Sequence, residues 1–165
     1  MKKIAFIPLD NRPVCYDLAI DICSYNSDFE IVLPPIEIIG GLYDVANFDA
    51  ILKWFENLCD IDYVIVALDT IAYGALVASR RTNMTYDEIK NRLEKFKNIL
   101  LQKNAKTLAF SSIMRISNNN VNEEEKEYWS RYGKKIFDYS YNLHKCEVTK
   151  ESEACAKFSC ISNTG

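Results

Sequence analysis

The chain has 165 residues, the size of one ordinary domain, with 48% hydrophobic and 26% charged residues, as in a soluble globular protein. A net charge of −3 is too small to argue for nucleic acid or an anionic membrane surface as partner. No run approaches the roughly 18–20 apolar residues that a spanning helix needs, which argues against a membrane protein.

In chain order, residues 3–9 (KIAFIPL) read as a first strand. Two lysines precede this short apolar run and Asp10 follows it at once, the flanks of a strand and not of a signal peptide; a cytoplasmic protein is expected. The run then breaks into Asp10-Asn11-Arg12-Pro13. Proline keeps Arg12 extended and then suits the first position of a helix. Val14, Leu18 and Ile22 recur at helical spacing and predict a helix over 14–24. A second strand is expected at 29–33. Pro34-Pro35 and Gly40-Gly41 bracket a loop.

Asn47 is a candidate N-cap for a second helix, whose face is Phe48, Ile51, Leu52, Phe55 and Leu58. Tyr63 to Leu68 is a continuous, largely β-branched apolar run that ends in Asp69. A run without polar alternation reads as a strand covered on both faces, as in a parallel sheet. Thr85 with Glu88 forms a capping box ahead of a third helix bearing Ile89, Leu93, Phe96 and Leu100. Residues 107–113 form a fourth strand that ends among Ser111, Ser112 and Arg115. Asn122 with Glu125 marks the start of a fourth helix, which carries Trp129, Tyr132, Ile136, Tyr139 and Leu143 at helical spacing.

The sum is βαβαβαβα: an α/β domain over 1–145, with a four-stranded, mostly parallel sheet flanked by helices. Half of a (β/α)8 barrel is the alternative. From Cys146 the period is lost, and 146–165 reads as an irregular tail or the end of a truncated or frameshifted reading frame. Cys15, Cys23, Cys59, Cys146, Cys155 and Cys160 form no CxxC, and in a reducing cytosol such cysteines are expected to be small buried hydrophobes. Cys146, Cys155 and Cys160 with His144 match no standard zinc spacing.

Asp10, Asp69 and the Ser111–Arg115 group each follow a presumed strand, so a parallel sheet brings them to its carboxyl edge, where open α/β folds place their ligands. The candidate site has Asp10 and Asp69 as catalytic carboxylates. Asn11, Arg12, Tyr73, Arg80, Ser111, Ser112 and Arg115 are its candidate substrate-binding groups. Arginine offers a planar fork for carboxylate or phosphate, so the expected partner is a polar or anionic small molecule, a sugar among them. No protein metal site is expected, although Asp10 and Asp69 can hold Mg2+ through oxygen.

Each residue also has a structural use. Asp10 can cap the first helix, Asp69 can pair with Arg80 or Arg12, Tyr73 and Gly74 can shape a turn, and Ser111 and Ser112 can bond local backbone. A single histidine, His144, near a helix end, makes a Ser-His-Asp triad implausible, and GxGxxG, P-loop, HExxH and GxSxG motifs are absent. Sheet order sets the distance between the carboxylates. In order 2-1-3-4 they face each other across neighbouring strands about 4.8 Å apart; in a barrel they stand roughly 10 Å apart.

Four segments taken together, IPLDNRP (7–13), LPP (33–35), LDTIAYGALVASR (68–80) and FSSIMR (110–115), carry a resemblance, with EYWSRYGKKIFDY (127–139) beside them. They resemble a bacterial family catalogued as domain of unknown function 4127, over about residues 3–143. The resemblance implies likeness to the N-terminal part of longer proteins, and supports the boundaries and motif choice without supplying a reaction. Two functions follow as expectations. One is an enzyme, or the first part of one, hydrolysing a polar small molecule such as a carbohydrate. The other is a non-catalytic anion-binding module or an inactive fragment.

Overall fold

The computed structural model describes residues 1–25, 28–150, 153, 155 and 156. Cys160 and the remainder of the expected tail lie outside the described residues. By internal contacts the chain divides into two units, Met1–Ser112 and Ile113–Gly165.

The first unit is built on four strands: β1 (Lys2–Ile7), β2 (Phe29–Val32), β3 (Tyr63–Ala67) and β4 (Lys106–Phe110). They pair in parallel in the order β2-β1-β3-β4, so the open doubly wound arrangement holds and the barrel does not. β1 and β3 are central. Ala5, Ile7, Val64, Val66 and Ala67 are fully buried, which explains why the 63–68 run shows no alternation. Helices α1 (Asp17–Ser24), α2 (Phe48–Asn57) and α5 (Tyr86–Gln102) provide the crossovers.

The core gathers around Ile51, Phe55, Ile61, Ile71 and Phe96. Phe55 and Phe96 stack with ring centroids 5.2 Å apart. Burying each such side chain contributes about 1.5–3 kcal/mol. The expected caps are present: Asn47 accepts from the Ala50 N–H at 3.1 Å, and Thr85 and Glu88 form a reciprocal capping box.

Several local expectations need correction. β1 ends at Ile7 and β4 at Phe110, short of the expected 9 and 113. The helix expected at 14–24 is regular only over Asp17–Ser24, and its Val14, Leu18 and Ile22 stripe is exposed. The half-buried face is instead Cys15, Tyr16, Ala19 and Cys23, with the Tyr16 hydroxyl donating to the Pro34 carbonyl at 2.6 Å. β3 ends one residue earlier than expected, and Leu68 and Asp69 open a short helix α3 (Leu68–Tyr73), followed by α4 (Leu76–Arg81). Gly74 closes α3 at φ +95°, a left-handed value at which glycine is the unstrained residue.

The second unit contains α6 (Trp129–Thr149). The acidic segment expected to open this helix forms a turn, in which the Glu125 N–H donates to the Asn122 carbonyl at 3.1 Å. The helix starts only where Trp129 is anchored: its indole N–H donates to the Asn119 carbonyl at 3.0 Å, and Trp129 packs against Gly133. It continues to Thr149, past the point at which the sequence loses its period. Two cysteine expectations also change. Cys146 and Cys155 are bridged as a disulfide, and Cys59 is exposed.

Candidate functional site at the carboxyl edge of the sheet

The register places two carboxylates side by side. Ile7 pairs with Val66, and Asp10 and Asp69 each lie three residues further on, past the ends of adjacent strands. This is the switch point of the sheet, where β1 sends its two neighbours in opposite directions. Both carboxylates are nearly inaccessible, Asp10 at 1% and Asp69 at 4% exposure.

Asp10 is closed by its own loop. Its Oδ1 accepts the Arg12 backbone N–H at 3.1 Å, and its Oδ2 accepts Arg12 Nε at 3.0 Å and Nη2 at 2.6 Å. Burial pushes the Asp10 carboxyl up. Hydrogen bonds from Arg12 and the Cys15 thiol, with the Arg12 charge, more than offset this and hold it below the usual carboxylate range. The Cys15 thiol is pushed up to about 11, first by burial and then by its hydrogen bond to Asp10 and that carboxylate's charge. The Arg12 side chain remains 39% exposed, so the ion pair is fully buried only at its Asp10 end. Asp10 caps no helix: α1 begins seven residues later and has no side-chain cap.

Asp69 is used differently. As the second residue of α3 it accepts the Ser112 N–H at 2.9 Å, which ties the exit of β3 to that of β4. Its Oδ1 has no partner among the described residues. No fully buried side-chain oxygen or nitrogen among them lacks a partner, so Oδ1 is not completely sealed off, although Asp69 as a whole is only 4% exposed. The next residue, Thr70, was not anticipated. It is fully buried, and its hydroxyl is shared between the carbonyls of Pro8 at 2.6 Å and Leu9 at 2.9 Å. Thr70 therefore fixes the β1 exit against α3. Its only trace in the sequence is its place immediately after the carboxylate.

The other expected residues distribute unevenly. Asn11 is half-buried over the Gly40-Gly41 turn, its N–H donating to the Gly40 carbonyl at 2.9 Å. Ser112 contributes its N–H to Asp69, whereas Ser111 is exposed. Arg80 is half-buried near the end of α4. Tyr73 lines a separate cavity together with the 42–45 loop. Arg115 belongs to the second unit, where it lines a cavity with His144 and Lys145. His144 itself is exposed. The structure thus joins Asp10, Asn11, Arg12, Asp69 and Ser112 in one edge of the first unit.

Among the described residues no group of three or more His, Cys, Asp or Glu side chains is placed to hold a metal ion, and no helix is long and apolar enough to cross a membrane. No curated protein and no solved structure matches the chain. The family described as "Protein of unknown function (DUF4127)" matches residues 4–160, nearly the whole length, and the chain belongs to that family.

Proposed function

We propose that the protein is a hydrolase acting on a polar or anionic small molecule, a carbohydrate being the simplest choice, at the carboxyl edge of the sheet. One observation carries the reading: of two buried carboxylates at the switch point, Asp10 has both oxygens engaged, while Asp69 has only Oδ2 engaged by another described residue. Asp69 is the group that exchanges a proton with the reacting molecule. Arg12, whose side chain is 39% exposed, contributes positive charge toward an anionic or hydroxyl-rich part of it, and Asp10 holds Arg12 in place. Asn11 and Ser112 border the same rim.

The experiment is a hydrolysis screen of the full chain against nitrophenyl glycosides and phosphate esters, followed by Asp69→Asn. Turnover should fall at least about 100-fold, in the range of a lost general acid or base, with the melting temperature nearly unchanged. Unfolding of D69N would instead make Asp69 a structural bridge between β3 and β4.

A second reading has its own support in the saturation of Asp10. An ion pair that satisfied is a common structural device, and Arg12 could bind an anion without any chemistry. Thermal stabilisation by phosphate or a sugar acid, with no turnover on any ester or glycoside, would favour that binding module.

A further inference from the structure

The geometry points to a second ligand site in the first unit, away from the two carboxylates: a pocket for a small zwitterion with an apolar body, of the chemical class of an amino acid. The cavity is about 400 Å3, within the range that holds small ligands, roughly 300–1,000 Å3. One wall is the loop 42–45. The other is formed by Tyr73 of α3, by α4, and by the residues just past it.

The lining is mixed in a specific way. Leu42, Val45, Val77 and Met84 supply apolar surface, and Tyr43 and Tyr73 add two aromatic rings with hydroxyl groups. Two opposite charges complete it, Asp44 and Arg81. Among the described residues these two side chains form no ion pair, with each other or with anything else. A pocket lined by an aspartate, an arginine and apolar side chains matches a ligand bearing an ammonium, a carboxylate and an apolar side chain. A simple anion would face Asp44, and a simple cation would face Arg81.

The wall is held in place before any ligand arrives. The Gly41 N–H donates to the Asp44 carbonyl at 3.0 Å, and the Ala46 N–H to the Gly74 carbonyl at 3.0 Å, so the loop is pinned at both ends. The fit is tight enough to exclude side chains. A Cβ on Gly40 would collide with the Gly74 carbonyl, and one on Gly74 would collide with Val45 Cγ1. A preformed wall loses little conformational entropy on binding.

The test is calorimetric titration of the full chain with L-phenylalanine and L-leucine, with backbone-amide NMR to locate the site. Binding should perturb residues 42–45 and 73–84. Phenylpropionate, lacking the amine, and phenethylamine, lacking the carboxylate, should each bind about ten-fold more weakly or worse, and Arg81→Gln and Asp44→Asn should impose similar losses for the intact amino acids. Both substitutions are at exposed positions, so the variants should fold, and circular dichroism verifies it. No binding of either amino acid up to about 10 mM would overturn the proposal. So would perturbations confined to other residues, or phenylpropionate binding as tightly as phenylalanine. None of these outcomes bears on Asp69, whose role is read from hydrolysis.

Discussion

The turn after β1 and the turn after β3 begin from the same material and arrive at different uses. Each is an apolar strand running into an aspartate that is almost wholly buried. After β1 the aspartate folds its own loop back on itself through Arg12, two residues on. After β3 the aspartate is part of a helix and reaches Ser112, forty-three residues away in the chain. The difference teaches that burial of a carboxylate does not identify its job. What separates the two is whether both oxygens are engaged locally or only one is engaged by another described residue.

The sharpest way to break the comparison is to remove the partner of the closed carboxylate. Arg12→Ala strands a buried charge at Asp10 and should destabilise the chain by about 3 kcal/mol, the low end of the range for such a loss because Arg12 is itself 39% exposed. Urea denaturation measures it; a loss under about 1 kcal/mol would mean that Asp10 finds other donors. Next comes Thr70→Val, which keeps shape but leaves the Pro8 and Leu9 carbonyls without their donor. It should destabilise by about 1–3 kcal/mol. It should also lower turnover if the spacing of the two exits matters to chemistry.

Asp69→Asn should do the opposite of Arg12→Ala. An amide oxygen can still accept the Ser112 N–H, so the stability change should stay below about 1 kcal/mol while activity is lost. A D69N variant as unstable as R12A would erase the distinction between the two turns.

The smallest effect is in pH. The folded Asp10 carboxyl lies below its ordinary value of 3.8, so the unfolded chain binds the proton more readily. The stability from this group is fully present well above that value. It is lost as pH falls through it and on through the lower folded value. Unfolding curves between about pH 6 and 2.5 should show this decline in the wild type and a reduced slope in Asp10→Asn.

Much of this architecture could be read from residues alone. The alternation of strands and helices, the Asn47 cap and the Thr85–Glu88 box depend on short-range signals: an apolar run, a hydroxyl or amide before a helix, a carboxylate three residues later. Sheet order depends on pairings between distant segments, so residues alone left it open between 2-1-3-4 and a barrel. α1 was harder, because two stripes compete on it. Val14, Leu18 and Ile22 are the more apolar. Yet Tyr16 has a carbonyl to reach at Pro34 and Cys15 a carboxylate at Asp10, and those distant partners decide which face turns inward. The same reason hid Thr70, whose importance lies in two carbonyls sixty-one and sixty-two residues away. In α6, acidic residues suited to a helix start lost to Trp129, which finds its acceptor at Asn119. At the site, the residue types pointed to the right edge for Asp10 and Asp69. The division between a fully and a partly engaged carboxylate appears only with the hydrogen bonds in view.

All five residues of β4 are exposed, although one side of the strand pairs with β3. Its outward amides therefore have water as their nearest competitor for a proton, while those of β1 and β3 are shielded between neighbours. Transferred to heavy water, the sheet would take up deuterium from its β2 and β4 edges inward, and β1 and β3, which lead into Asp10 and Asp69, would be the last to exchange. The carboxylates thus follow directly on the slowest-opening part of the scaffold, which holds their spacing constant.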